Sequence, residues 1–370
     1  MTGWAGMTRP ADTTDHIERL RGLFNEEVPA LVVSTVVNIR YLLGRPTLFD
    51  ADFSGLLLVG PEVAALIADS RYSAQAEAAG LPCRIEGMDG SSWETLGSLV
   101  KRAKLKKVGF EAQNLTVSQW QQLKNCVPAE LAPAKDLVER LRLVKNASEI
   151  DSQAAAARIA DEVFNDILNL LKPGVAEREI ALEIDFKMRR AGAERAGFDT
   201  IVAGGPNSAF PHAGAGERKV GLGDFVKLDF GAVFNGYHSD MTRTVVLGNA
   251  SSRQKEVYAN VVKAQQLALD GLAPGIKGRE ADALARNFFA SIGTAENFGH
   301  NLGHGVGLDI HEQPTLGPKS ESVLEVGMVF TVEPGLYFPG FGGVRIEDMI
   351  VLREHGIQIL TASAKELIEL

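Results

Sequence analysis

The dipeptide Asn235-Gly236 lies between two β-rich runs in the stretch Asp224 to Gly248, DFVKLDFGAVFNGYHSDMTRTVVLG, and leaves them little choice but to fold back on each other as a hairpin. With these two residues as the turn, Phe234 pairs with Tyr237, Gly231 faces Asp240 and Asp229 faces Thr242. Side chains alternate along a strand, so Asp229 and Asp240 fall on one face as diagonal neighbours, roughly 7–8 Å apart at the backbone. Two carboxylates leaning inward at that spacing can share one divalent cation. The alternative, on this segment alone, is that both face solvent, the usual place of Asp in a strand.

Two further segments bear on that choice. His300 to His311, within HNLGHGVGLDIHE, gathers three of the seven histidines around Gly303, Gly305 and Gly307. Glycine lets backbone pass close to a crowded centre, and neutral imidazole serves as a metal ligand or a general acid/base. The glycine pattern lacks the flanking strand and helix of a dinucleotide loop, and HExxH is absent. The second segment, VFTVEPGLYFPGFGGVRIEDMIVL, carries Glu333 and Glu347 in two β-rich runs around a Gly/Pro-rich bend. Pro334 removes a ladder donor, so the strand is expected to end or bulge where Glu333 is presented.

One histidine and four carboxylates on neighbouring strands can hold two divalent ions. Without counter-ions four buried carboxylates repel and raise one another's pKa values; two dications cancel the charge. Oxygen-rich ligation with a single imidazole and no thiolate points to Mn²⁺, with Co²⁺ or catalytic Zn²⁺ as alternatives.

Composition narrows the function class. With 38 Lys plus Arg against 47 Asp plus Glu, the chain carries −9, and no basic run offers a surface to nucleic acid or anionic lipid. Cys83 and Cys126 are too few for a disulfide framework and lack zinc-thiolate spacing, which fits a reducing compartment. No run approaches the ~18 apolar residues of a membrane span, and the first twenty residues lack a secretory apolar region. The expectation is a cytoplasmic protein, with Met7 as an alternative start.

A chain of 370 residues favours two domains. In the first third, Ile17, Leu20 and Phe24 have helical spacing, while Ala30 to Ser34, Ser54 to Gly60, Val63 to Ile67 and Lys107 to Phe110 read as strands separated by helices, an α/β layer domain. A charged helical stretch, KDLVERLRLVK, follows Pro133, and the boundary is placed at about 140, giving domains 1–140 and 141–370. Ser148 with Asp151 three residues on reads as the start of a helix over 152–172. Asn146-Ala147-Ser148, formally a glycosylation acceptor, is read as part of a helix cap. Helices over 176–191, 253–270 and 278–292, a strand-rich stretch over 198–247 and strands to the C-terminus make an α+β domain with helices on an antiparallel sheet. The order helix, helix, strand occurs twice, which allows a weak internal duplication.

The ordered set LDFGA with Asp229, SDMTRT with Asp240, LGHGVGLDIHE with His304, VEPGLY with Glu333 and GGVRIED with Glu347 closely resembles the pita-bread metallopeptidases. PNSAFPHA around His212, the linker RLRLVKNASEI, NIRYLLG and DSRY resemble the Xaa-Pro dipeptidases, or prolidases, and the related Xaa-Pro aminopeptidases. The resemblance spans nearly the whole chain. Methionine aminopeptidases share the metal site without this N-terminal domain, and creatinases lack the full ligand set. The resemblance implies that Asp229 and Asp240 hold one metal, that Asp240, His304 and Glu333 hold the other, and that Asp240 and Glu347 bridge. It also implies a hydroxide between the ions as nucleophile, Glu333 as base and proton shuttle, and His311 and His212 facing substrate. The implied reaction is hydrolysis of Xaa-Pro dipeptides, releasing proline, by a homodimer.

An Xaa-Pro bond has no N–H and a fixed φ, so it needs a dedicated pocket; Phe210, Tyr237 and Tyr337 are candidates to line it. In some prolidases an Arg follows the HE motif and clamps the substrate carboxylate, where HEQPTL here has Thr315. A hydroxyl cannot replace a bidentate guanidinium. Arg345 is an alternative cation for substrate binding, as are Arg45 or Arg71 from the N-terminal domain or from a second subunit. The rival readings are an Xaa-Pro aminopeptidase open to longer peptides, and a peptide-binding module without hydrolysis. An organophosphorus ester is expected only as a side substrate.

Overall fold

Short apolar runs closed off by turn residues become buried strands in the first part of the chain. The computed structural model describes residues 16–50 and 52–370, so the alternative start at Met7 lies outside the described residues. The chain divides into two compact units between Arg142 and Leu143. Among the described residues the first unit runs α1 (His16–Arg21), β1 (Leu31–Val33), α2 (Val36–Leu42), β2 (Leu56–Val59), β3 (Ala64–Ala68), α3 (Ser70–Ala78), β4 (Arg84–Gly87), α4 (Ser92–Arg102), β5 (Lys107–Glu111), α5 (Val117–Cys126), β6 (Glu130–Ala134) and α6 (Leu137–Arg142). Its strands form one mixed sheet in the order β4-β3-β2-β1-β5-β6. Capping boxes at Ser91 with Glu94 and at Thr116 with Gln119 start α4 and α5, whose Leu96, Leu99 and Leu123 pack with Val32, Leu58, Ile67 and Val108. Each such side chain, fully buried, contributes about 1.5–3 kcal/mol of hydrophobic stabilisation.

One acid organises the far end of that sheet. Glu111 ends β5 at 7% exposure, and its Oε2 accepts from the Ser34 and Thr35 amides at 2.7 and 2.8 Å and from both their hydroxyls at 2.9 Å. Its Oε1 accepts from Asn38 Nδ2 at 2.7 Å. The Thr35 side chain makes no capping bond of its own, so a carboxylate from another strand supplies the acceptor that the start of α2 needs.

The second unit runs α7 (Ala147–Ile167), α8 (Glu177–Arg190), β7 (Arg195–Ala196), β8 (Ile201–Gly204), β9 (Phe225–Phe230), β10 (Ala232–Phe234), β11 (Tyr237–His238), β12 (Met241–Val246), α9 (Ser252–Gly271), α10 (Gly278–Ser291), β13 (Gly303–Gly305), β14 (Glu312–Leu316), β15 (Val329–Val332), β16 (Gly335–Phe338), β17 (Gly342–Arg345), β18 (Asp348–Arg353) and β19 (Gly356–Ile359). Two local expectations are corrected. The charged stretch expected to stay helical through Lys145 stops at Arg142, because Val144 pairs with Met328 and the Lys145 amide donates to Gly327 O at 3.0 Å. The cap of α7 is Asn146 rather than Ser148: its side chain accepts from the Glu149 amide while the Glu149 carboxylate accepts from the Asn146 amide. The longer Glu149 side chain reaches back across the first turn, where Asp151 is one methylene short.

The sheets of this unit are antiparallel: β12-β9-β8, β11-β10-β7, β14-β13-β15-β18-β19 and β16-β17. Helices α7 and α8 share a core with β8, β9, β10 and β12, and α9 and α10 share another with β15, β17 and β18. The halves echo one another. The residue before α8, Ala176, bridges to Lys219, and the residue before α10, Lys277, bridges to Val323. The C-terminal residues run along β12, with Leu370 and Val246 exchanging backbone hydrogen bonds with neighbours there, and the buried Arg243–Asp348 pair at 2.7 Å holds the preceding turn through Ser363 O. No helix among the described residues is long and apolar enough to cross a membrane.

Candidate metal centre

The hairpin register is the one that the Asn-Gly turn dictates. Phe234 pairs with Tyr237 and Asp229 with Thr242, and Asn235 and Gly236 take φ of 48° and 75°. At Gly231 a Cβ would meet Ser239 O at 1.8 Å, so only glycine allows the close approach opposite Asp240. Asp229 and Asp240 are buried at 6% and 5% exposure, which removes the solvent-facing alternative.

Three other strand ends converge on these acids. His304 lies in β13, which is squeezed between β14 and β15: a Cβ at Gly303 would strike Thr331 O at 2.0 Å and one at Gly305 would strike Gln313 O at 2.1 Å. Its Nε2 is 3.5 Å from both Asp240 Oδ2 and Glu333 Oε1. β15 ends at Val332, so Glu333 stands outside the ladder ahead of Pro334, with its Oε1 accepting from Thr331 at 3.3 Å. Glu347 lies between β17 and β18 and accepts from Thr242 Oγ1 at 2.6 Å, which ties it to the residue opposite Asp229.

One ligand atom from each of Asp240, His304 and Glu347 lies within 4.8 Å of the others. Burial, reinforced by Glu347, Asp229 and Glu333, raises the Asp240 pKa well above the ordinary aspartate range. Burial and Glu347 do the same to Glu333, and burial with Asp229 pushes Glu347 up to about 7. Burial lowers His304 to about 4, leaving a neutral imidazole. Asp229 Oδ1 is buried with no hydrogen-bond partner. A crowd of acids short of positive charge, a neutral imidazole and an unsatisfied carboxylate oxygen together fit divalent cations.

Arg345 fills part of that charge deficit. Its guanidinium pairs with Asp229 and donates to Thr242 Oγ1 at 2.9 Å, Tyr337 Oη at 2.9 Å and Pro211 O at 3.2 Å. Tyr337 Oη also meets His300 Nε2 at 2.8 Å. His311 is exposed with its ring centroid 4.4 Å from that of His304, and burial followed by His212 lowers its pKa. His212 itself is exposed, as is Phe210. Tyr237 is buried with its hydroxyl donating to Glu149 of α7 at 2.6 Å. Thr315 pairs with His304 across β13 and β14. In the first unit Arg71 pairs with Asp69, and Arg45 donates to Ala79 O.

Sequence reading missed two members of this neighbourhood. His300 is one of three clustered histidines, and its position four residues before His304 is its signal in the sequence. Lys227 lies two residues before Asp229 in an otherwise apolar run; its side chain is fully buried and burial, then Arg345, lowers its pKa to about 6.

The second unit's fold and buried cluster of acids and imidazole define a metallopeptidase. A sequence model of metallopeptidase family M24 matches residues 152–354, and one of the creatinase/prolidase N-terminal domain matches residues 16–144. This chain belongs to metallopeptidase family M24, and its fold is the expected one, an α/β N-terminal domain followed by an α+β pita-bread catalytic domain. Peptidase YqhT of Bacillus subtilis, named as uncharacterized, is 42% identical over 354 residues, 95% of this chain and 99% of that protein. The solved Xaa-Pro dipeptidase from Bacillus anthracis superposes with a TM-score of 0.92 at 43% identity, covering 96% of this chain and 99% of that one. The X-Pro aminopeptidase from Thermotoga maritima superposes at 0.88 with 33% identity, covering 96% and 100%.

Proposed function

We propose that this protein hydrolyses Xaa-Pro dipeptides and releases proline, as a cytoplasmic homodimer loaded with two divalent ions, Mn²⁺ before Co²⁺ or Zn²⁺. What carries the reading is the convergence of Asp240, His304 and Glu347 within 4.8 Å, in a chain similar end to end to an Xaa-Pro dipeptidase. Asp229 and Asp240 would hold one ion, Asp240, His304 and Glu333 the other, with Asp240 and Glu347 shared between them. When bound, the pair of cations supplies Lewis acidity that polarises the scissile carbonyl and acidifies water.

The chain's own groups do the rest. Glu333 accepts a proton from the attacking water and delivers it to the departing prolyl nitrogen, so one water adds across the bond. His311 and His212 donate to oxygens that gain charge as the carbonyl becomes tetrahedral. Phe210, Tyr237 and Tyr337 are assigned to the proline pocket. Arg345 keeps Asp229 oriented and, through Tyr337 and Pro211, ties that pocket to the cluster.

A second reading, an Xaa-Pro aminopeptidase, is favoured by one observation: Thr315 stands directly opposite His304 in the sheet, a place where its hydroxyl offers no clamp for a terminal carboxylate. The test is turnover of the Mn²⁺-loaded protein on Ala-Pro and Met-Pro against the same sequences extended by two residues. Cleavage confined to the dipeptides is expected. Efficient cleavage of the extended peptides replaces the first reading with the second, and no cleavage of any Xaa-Pro bond overturns both.

A further inference from the structure

Lys227 is a fully buried lysine in the middle of β9. Among the described residues no carboxylate lies within ion-pair distance of its Nζ. That nitrogen lies instead within hydrogen-bonding distance of three backbone carbonyls of one turn: Phe210 O at 2.7 Å, Pro211 O at 3.1 Å and Ser208 O at 3.4 Å. The Nζ also lies 5.3 Å from the centre of the Tyr337 ring. Burying a lysine nitrogen costs free energy whether it keeps its proton or sheds it, and a Met or Leu of similar length would fill the same space without that cost. The gain must lie in what the nitrogen holds.

What it holds is the turn that leads into His212. Ser208 and Ala209 are buried, but the chain then emerges, with Phe210 59% exposed and His212 exposed. Three carbonyls turned inward at consecutive or near-consecutive positions share this one nitrogen as their donor. Arg345 donates to the Pro211 carbonyl as well while pairing with Asp229, so the turn is gripped by two basic side chains beside the acid cluster.

We propose that Lys227 is a positioning residue of the substrate site, its buried Nζ fixing the 208–211 turn through hydrogen bonds and thereby the places of Phe210 and His212. It acts through the turn and does not touch the reacting atoms. The inference rests on the substrate roles proposed above for Phe210 and His212.

The experiment compares the full chain carrying Lys227→Met, in which all three bonds are lost, with Lys227→Gln, whose amide nitrogen restores two donors. Hydrogen exchange is followed over 205–213 and over 237–247, with bound Mn²⁺ and Ala-Pro kinetics measured alongside. For Lys227→Met the expected result is faster exchange in 205–213 alone, unchanged metal content, and kcat/KM lowered by about tenfold, mostly through KM. Lys227→Gln recovers part of both changes. In a His212→Ala background, adding Lys227→Met lowers kcat/KM by clearly less than about tenfold, because one of the two positioned groups is gone. Unchanged exchange in 205–213, equal acceleration throughout the unit, or additive effects in the double variant each overturn the proposal. If the Met variant does not fold, the Gln variant decides by the same readouts. A wild-type protein inactive on Xaa-Pro peptides overturns the proposed function, and the exchange comparison still tests Lys227.

Discussion

Glu111 in the first unit and Asp240 in the second are nearly equally buried acids in unlike company, at 7% and 5% exposure. Glu111 is surrounded by donors: two amides, two hydroxyls and the Asn38 side chain. Asp240 faces a neutral imidazole and three more acids, and burial, then those acids, raise its pKa. The first arrangement satisfies a charge with the fold's own dipoles, and the second leaves it to be satisfied by something bound. Glu111 finds its donors within the fold, whereas Asp240, under the function proposed above, is left for a bound cation.

That contrast can be broken at either end. Asp240→Ala is expected to abolish metal binding and turnover together, measured by metal content and Ala-Pro hydrolysis; full turnover in this variant would refute its role as shared ligand. Glu111→Ala should lower the stability of the first unit by about 3 kcal/mol, since several buried donors lose their acceptor at once, and leave metal content intact. Asp240→Asn should do the reverse in chelated protein at neutral pH, raising the unfolding temperature by relieving repulsion in the cluster. Denaturation curves showing the same sign for the two substitutions would erase the distinction.

The smallest effect is in pH. In the metal-free fold Glu347 holds its proton up to about pH 7, while the unfolded chain releases it near the ordinary value of 4.5. The folded state therefore binds more protons across that window, and stability is expected to fall as pH rises from about 4.5 to 7. Thermal unfolding of chelated protein against pH reads this directly. Saturating Mn²⁺ should flatten the curve, because the cation then stabilises the ionised form; a fall of equal size with and without metal would mean that the acids do not share it.

Much of this was legible in the chain. Asn-Gly allows only one tight hairpin and strands alternate strictly, so the pairing of Asp229 with Thr242 followed from counting. Pro334 ended its strand beside Glu333 because it has no N–H to give to a ladder. The cap of α7 lies two residues before the expected Ser148, and the helix begins at Ala147 rather than 152, because Ser148 with Asp151 and Asn146 with Glu149 have the same spacing and side-chain reach chooses between them. His300 had only its spacing from His304 as a signal, and Lys227 and Glu111 had none. A histidine four residues from another, a lysine in an apolar run and a glutamate at a strand end each have many ordinary explanations.

Local chemistry thus determined on its own which residues form strands, which way their side chains point, and that acids and imidazoles occur in a characteristic order. Only the tertiary structure decided which of them face one another. Glu347 is tied to Thr242 and Lys227 to the 208–211 turn through contacts between segments far apart in sequence. Such contacts depend on how sheets and turns pack in three dimensions, and neither periodicity nor spacing within a segment carries that information.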